Sequence, residues 1–153
     1  MKSSAPAVML LAGAAGLAVS GYLTVLHFQG TAPVCANTGM MDCRAVTSSA
    51  YSVLGETGIP VAVLGALWFL VSGTLAAVAW RRQGPGGHTW FRLSQLAWAA
   101  AGLLSVLYFV WAELVMLHRI CEWCTAVHLL VLLTFLLAVR RMQQPAPSRS
   151  GRD

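Results

Sequence analysis

Residues 118–128 read HRICEWCTAVH, and they decide how the rest of the chain is arranged. Cys121 and Cys124 stand three apart beside Glu122 and Trp123, and an apolar run follows at once. A second apolar run ends just upstream at Leu117, so only "HRI" separates two stretches of membrane-helix length. A CxxC pair at the mouth of such a helix can be a redox couple, a metal clamp, or two small packing side chains.

The composition fixes the solvent. Of 153 residues 58% are hydrophobic and 10% charged, whereas a soluble domain carries about 25% charged residues. The net charge of +5 does not point to nucleic acid, because the basic residues lie between apolar stretches and do not gather into one stripe. Crossing ~30 Å of hydrocarbon takes about 20 apolar residues, and 5–26, 59–80, 93–117 and 121–139 qualify. The first two are uncharged, and the second stops at Arg81-Arg82. The third holds one acid, Glu113; the fourth has Glu122 near its start and ends at Arg140-Arg141. The first stretch is longer than the 7–15 apolar residues of a signal peptide and follows only Lys2, so it is read as a retained span. The expected fold is an all-α integral membrane protein, a four-transmembrane-helix bundle over 1–143. A polar loop covers 27–58, and the Pro- and Ser-containing tail 144–153 is expected to be disordered. Gly13, Gly16 and Gly21 in the first helix suggest close packing, and Pro60 fixes the start of the second. The six tryptophans, Trp68, Trp80, Trp90, Trp98, Trp111 and Trp123, read mostly as interface-belt or lipid-facing residues.

Basic residues orient the bundle. With four spans, Lys2, Arg81, Arg82, Arg92, Arg140, Arg141, Arg149 and Arg152 fall on one side, and Arg44 and Arg119 on the other. This bias makes both termini cytoplasmic. The loop with Cys35 and Cys43, and the corner with Cys121 and Cys124, then face the compartment where disulfides persist. On a helix, residues 121, 124 and 128 share a face, and the helix N-terminus favours a thiolate at the first cysteine. Four cysteines are also a complete zinc set, but structural zinc usually joins C-x₂₋₄-C pairs, and seven residues separate Cys35 from Cys43. A thioredoxin-like CxxC needs a βαβ surround, which the pattern lacks. Two dithiols, one on a loop and one at the membrane boundary, suggest a relay from a soluble partner to a lipid-soluble two-electron acceptor, a quinone.

An ordered set of motifs over almost the whole chain resembles the vitamin K epoxide reductase (VKOR) family in its bacterial, disulfide-forming version. The set comprises CANTGMMDC (35–43), Ser49, YSVLGETGIPVAVLG (51–65) and YFVWAELVMLHRICEWCTAVH (108–128). The resemblance implies a membrane thiol–disulfide oxidoreductase of the bacterial inner membrane with its active site on the outer face. A DsbA-like thioredoxin-fold partner would reduce Cys35–Cys43. Cys43 would then attack Cys121, and Cys124 would pass electrons to ubiquinone or menaquinone. Ser49 matches the family's loop serine, although it also suits the cap or turn of a short interfacial helix. Where animal members carry a quinone-bonding tyrosine and an asparagine, this chain has His128 and Val61. His128 can donate to a quinone oxygen or be satisfied by a neighbouring helix. Glu113 can relay protons, anchor a neighbour, or snorkel to the outer interface. The rival from another class is a non-enzymatic Cys₄ metal-binding or metal-delivery membrane protein using His118 or His128.

Overall fold

A computed structural model describes residues 5–36, 38–81 and 88–143. The expected disordered tail and most of the basic hairpin between the second and third spans lie outside them. Among the described residues four helices are long and apolar enough to cross a membrane: Ala5–Phe28, Val61–Arg81, Trp90–Leu117 and Glu122–Gln143. In chain order, α1 is Ala5–Phe28, α2 the short Cys43–Thr47, α3 Val61–Arg81, α4 His88–Trp111 and α5 Glu122–Gln143. Two 3₁₀ turns, Ala50–Ser52 and Gly55–Thr57, connect α2 to α3, and α4 runs on as a π-helical turn, Ala112–Leu117. Among the described residues there are two isolated β-bridges, Met41 with Ile120 and Val53 with Pro60.

The helices end where the sequence supplies a stop. α1 closes on Gly30 at φ +65, with Thr31 N–H donating to Leu26 O (3.1 Å) and Gly30 N–H to His27 O (3.1 Å). This is the left-handed glycine cap that satisfies the last carbonyls. Pro60 is buried and stands immediately before α3, where its missing N–H leaves no ladder bond unmade. α5 runs to Gln143, past the expected end at 139.

α1 packs mainly on α3 and then α5, and α4 packs on α5. Gly13 and Gly16 set the α1–α3 approach: a Cβ on Gly13 would lie 3.3 Å from Gly73 Cα, and one on Gly16 would overlap the Phe69 ring. Phe69 is 1% exposed and has nowhere to retreat. Gly21 differs, with nothing within 4 Å of a Cβ there. The tryptophan expectation needs correction for two residues inside the bundle. Trp68 and Trp98 stack at 6.4 Å and 9°. Trp68 Nε1 donates to Trp98 O (3.3 Å), and Trp98 Nε1 to Ser72 Oγ (3.1 Å). An indole N–H away from water needs an acceptor, so this pair clasps α3 to α4. Gly102 makes room, since a Cβ there would stand 2.5 Å from the Trp68 ring. Trp80, Trp90 and Trp111 do face outward.

Gly16→Val is expected to destabilise the detergent-solubilised protein by about 1–3 kcal/mol through overpacking against Phe69. Gly21→Ala, which meets open space, should be neutral or stabilising by up to about 1 kcal/mol from helix propensity. Thermal unfolding of the two variants side by side checks the contrast.

Candidate active site

The third span does not finish as an ordinary α-helix. The π-helical turn Ala112–Leu117 widens its last turn, and His118 then takes a left-handed conformation at φ +52. The carbonyl of Glu113 accepts from the N–H of His118 and from that of Arg119 (3.0 Å). Such a bulge is a frequent mark of functional helices. Here it turns Ala112 and Glu113 inward, at 1% and 6% exposure, and leaves residues 118–121 as an open corner before α5.

That open backbone binds the cysteine loop. Ile120 N–H donates to Met40 O (2.9 Å) and Asp42 N–H to Ile120 O (3.1 Å), forming the Met41–Ile120 bridge. Arg119 Nη1 donates to Gly39 O (2.9 Å). Trp123 Nε1 donates to Val34 O (2.9 Å), and its ring lies 5.0 Å from Tyr22 of α1. The loop is thus held on both flanks of its cysteines. Asp42 Oδ1 accepts from Ala45 N–H (2.9 Å) and caps α2, fixing Cys43 as its first residue. Trp123 therefore positions the loop and is not a lipid-belt residue. Its place between two cysteines is the one signal in the sequence, and that says nothing of its partner 89 residues away.

All four cysteines meet at this corner. Cys35 and Cys43 are joined by a disulfide with Cα atoms 6.0 Å apart, and Cys121 and Cys124 are free. Cys43 and Cys121, both 0% exposed, share one cluster with Val46, and Cys35, Cys124 and Trp123 pack against it. Cys121 precedes α5, and its sulfur accepts from the Cys124 N–H at 3.4 Å. The hydrogen bond from the Cys124 side chain holds the Cys121 thiol below its ordinary pKa, against the upward pull of burial. This agrees with a thiolate favoured at the helix start. Of the residues 121, 124 and 128 expected to share a face, Cys121 and Cys124 pack in one cluster, and Cys124 and His128 line one cavity. Val127 and Val131 line that cavity too, and Cys121, just ahead of the helix, shares its cluster with Cys43.

The cavity has a volume of about 520 Å³ and lies between the loop and the bundle. Ser49, Val61, Glu113, Cys124 and His128 all line it. The Glu113 carboxyl lines the same cavity as Cys124. It is buried at 6% exposure and turned into the protein, so it does not snorkel outward. Ser49 Oγ donates to Val46 O (2.8 Å) and precedes the turn Ala50–Ser52 without capping it, so its oxygen can only accept from the cavity. Val61 gives the cavity an apolar wall and no amide. Tyr51, which the sequence did not single out, lines the cavity too, its ring 6.5 Å from Tyr108.

The sequence matches the vitamin K epoxide reductase family over residues 7–139. The chain belongs to that family. Its members are membrane-embedded oxidoreductases, and the corner just described is where this VKOR-family chain holds its two cysteine pairs. A comparison with curated proteins found no match. The rival metal reading finds no support: the disulfide takes two of the four thiols, and among the described residues no three His, Cys, Asp or Glu side chains could share a metal ion.

Trp123→Phe keeps the ring against Tyr22 and removes one hydrogen bond, worth about 1 kcal/mol. Amides of residues 34–41 should then exchange hydrogen about fivefold faster, while those of α1 and α3 are unchanged. Exchange mass spectrometry on both proteins reads this directly.

Proposed function

We propose that this membrane thiol–disulfide oxidoreductase reoxidises a DsbA-like partner outside the cytoplasm and delivers the two electrons to a membrane quinone. The observation that carries the reading is the packing of the Cys35–Cys43 disulfide against Cys121 and Cys124, the latter opening on the cavity. Positive-inside counting supports an outward-facing site, and a bacterial inner membrane suits such a partner. The cavity fits a quinone ring: its volume of about 520 Å³ falls in the range of small-molecule sites. Leu23, Phe69 and Val131 make it apolar, while Ser49, Glu113 and His128 add polar groups beside Cys124.

The residues divide the work in sequence. Two electrons and two protons enter when the partner's dithiol reduces Cys35–Cys43 and leaves as a disulfide. With Cys121–Cys124 oxidised, Cys43 attacks the Cys121 sulfur; a Cys43–Cys121 bond forms and Cys124 leaves as a thiolate. Attack by Cys35 on Cys43 restores the loop disulfide and leaves Cys121 and Cys124 as the dithiol, the state described above. Ser49, Glu113 and His128 would hold a quinone in the cavity that Cys124 lines, where it would supply a two-electron, two-proton acceptor as the Cys121–Cys124 disulfide re-forms. Glu113, lining the same cavity as Cys124, takes up the proton released there and passes it to the cavity. His128 donates a hydrogen bond to the acceptor's oxygen, in place of the tyrosine of animal members. Val61 shapes the wall where they place an asparagine.

Fully reduced protein, freed of reductant and oxygen, should lose two or four alkylatable thiols on addition of ubiquinone or menaquinone, and Cys124→Ser should abolish the loss. Four thiols unchanged by either quinone overturn the reading. Glu113→Gln should slow quinone reduction about 10²-fold or more, followed by quinone absorbance, with thiol exchange between the two cysteine pairs near the wild-type rate.

A further inference from the structure

The cavity that Cys124 lines carries a hydroxyl used neither by the cysteine relay nor by the helix packing. Ser20, on α1, is 1% exposed and lines the cavity with Gly65, Phe69 and Val131. Its backbone carbonyl accepts from Thr24 Oγ1 (2.8 Å), but its own Oγ finds no protein acceptor among the described residues.

Other hydroxyls of the bundle are spent. A serine or threonine inside a helix can return its hydroxyl to the carbonyl four residues back. Thr24, Thr74 and Thr134 do so, at 2.8, 2.8 and 2.9 Å. Ser105 lines the same cavity, yet its hydroxyl donates to Ala101 O (3.1 Å) within α4. Buried Ser72 accepts from Trp98 Nε1. Ser20 departs from this pattern, and the chain leaves it room. A Cβ on Gly65, across the α1–α3 contact, would stand 3.0 Å from Ser20 Oγ. Burying a hydroxyl without a partner is unfavourable, and the environment of a membrane bundle offers few substitutes. The cavity it faces is where an acceptor can arrive.

Depth and placement suit a quinone ring. Ser20 stands eight residues before the end of α1 at Phe28, about 12 Å along the helix. His128 stands six residues after the start of α5 at Glu122, about 9 Å along it. The two side chains thus enter one cavity from different helices, well inside the spans. A quinone carries two carbonyl oxygens on opposite edges of its ring, and both accept.

We propose that Ser20 is a second hydrogen-bond donor to the quinone, taking the carbonyl oxygen that His128 does not take. The inference rests on the quinone reading above and adds a residue to it. Ser20 binds and orients the ring, and the proton path stays with Glu113. Donors from two helices fix the ring's long axis relative to Cys124, which a single donor leaves free to turn.

The test uses oxidised, quinone-free, full-length protein in detergent, titrated separately with decyl-ubiquinone and a short-chain menaquinone. Binding is read by quenching of tryptophan fluorescence, since Trp68 lines the cavity, and by the infrared carbonyl bands of the bound quinone. Ser20→Ala should weaken binding about fivefold to tenfold and return one carbonyl band toward its position in free quinone. Without quinone, the same variant should unfold at the wild-type temperature or above it, because the hydroxyl it loses had no partner. Thr24→Ala, which removes a hydroxyl spent within α1, should keep wild-type affinity and both bands. Wild-type affinity and bands in Ser20→Ala overturn the proposal and leave the quinone reading standing. A lower unfolding temperature of quinone-free Ser20→Ala makes the hydroxyl structural and overturns it too. If wild type binds neither quinone, the quinone reading itself fails and takes the proposal with it.

Discussion

The pairing of one loop strand with one unwound corner holds this protein's chemistry together. Ile120 gives its N–H to Met40 and its carbonyl to Asp42, an exchange open only to a residue outside helix geometry. Had α4 and α5 met in a regular helical turn, those two groups would have been spent inside it. The connection is therefore short for a reason beyond economy of chain. Its backbone is the receptor for the loop, and Trp123 and Arg119 lock the register from either side. Cys43 comes to rest on Cys121 because the residues just before them, Asp42 and Ile120, are already paired.

The π-helical turn follows from the same constraint. A widened last turn absorbs the change of direction, and one carbonyl, that of Glu113, takes up the amides of both His118 and Arg119. The same turn carries the Glu113 side chain inward to the cavity that Cys124 lines. One local distortion thus opens the corner and aims the buried acid. An intramembrane carboxylate is costly, and on the proposed reading its place beside Cys124 gives it a role in proton transfer.

Much of this was legible in the sequence, because a membrane makes its demands loudly. Apolar runs of helical length mark four helices, and Gly13 and Gly16 mark the α1–α3 contact, where a Cβ on either would meet α3. The motifs 35–43 and 108–128 carry the resemblance to a family whose match spans residues 7–139. What could not be read is direction within an element. Hydropathy scores Trp68, Trp98 and Trp123 alike whether they face lipid or clasp a neighbour, and the acceptor of each indole is chosen by tertiary contact. Arg141 reads as a stop signal equivalent to Arg140, yet the two turn opposite ways. Gly21 looked like a third packing glycine and meets nothing. The i, i+3, i+7 rule groups Cys121 with Cys124 and His128, but it could not show that Cys121, standing before the helix begins, also packs against Cys43.

The central claim is that electrons pass between the two pairs through Cys43 and Cys121. The direct test is to remove the other member of each pair, Cys35→Ser with Cys124→Ser, oxidise the protein mildly in membranes, and map the remaining bond by peptide mass spectrometry. An intramolecular Cys43–Cys121 disulfide in most of the protein is the predicted result. Two free thiols under the same oxidant, with the protein folded, would contradict the account.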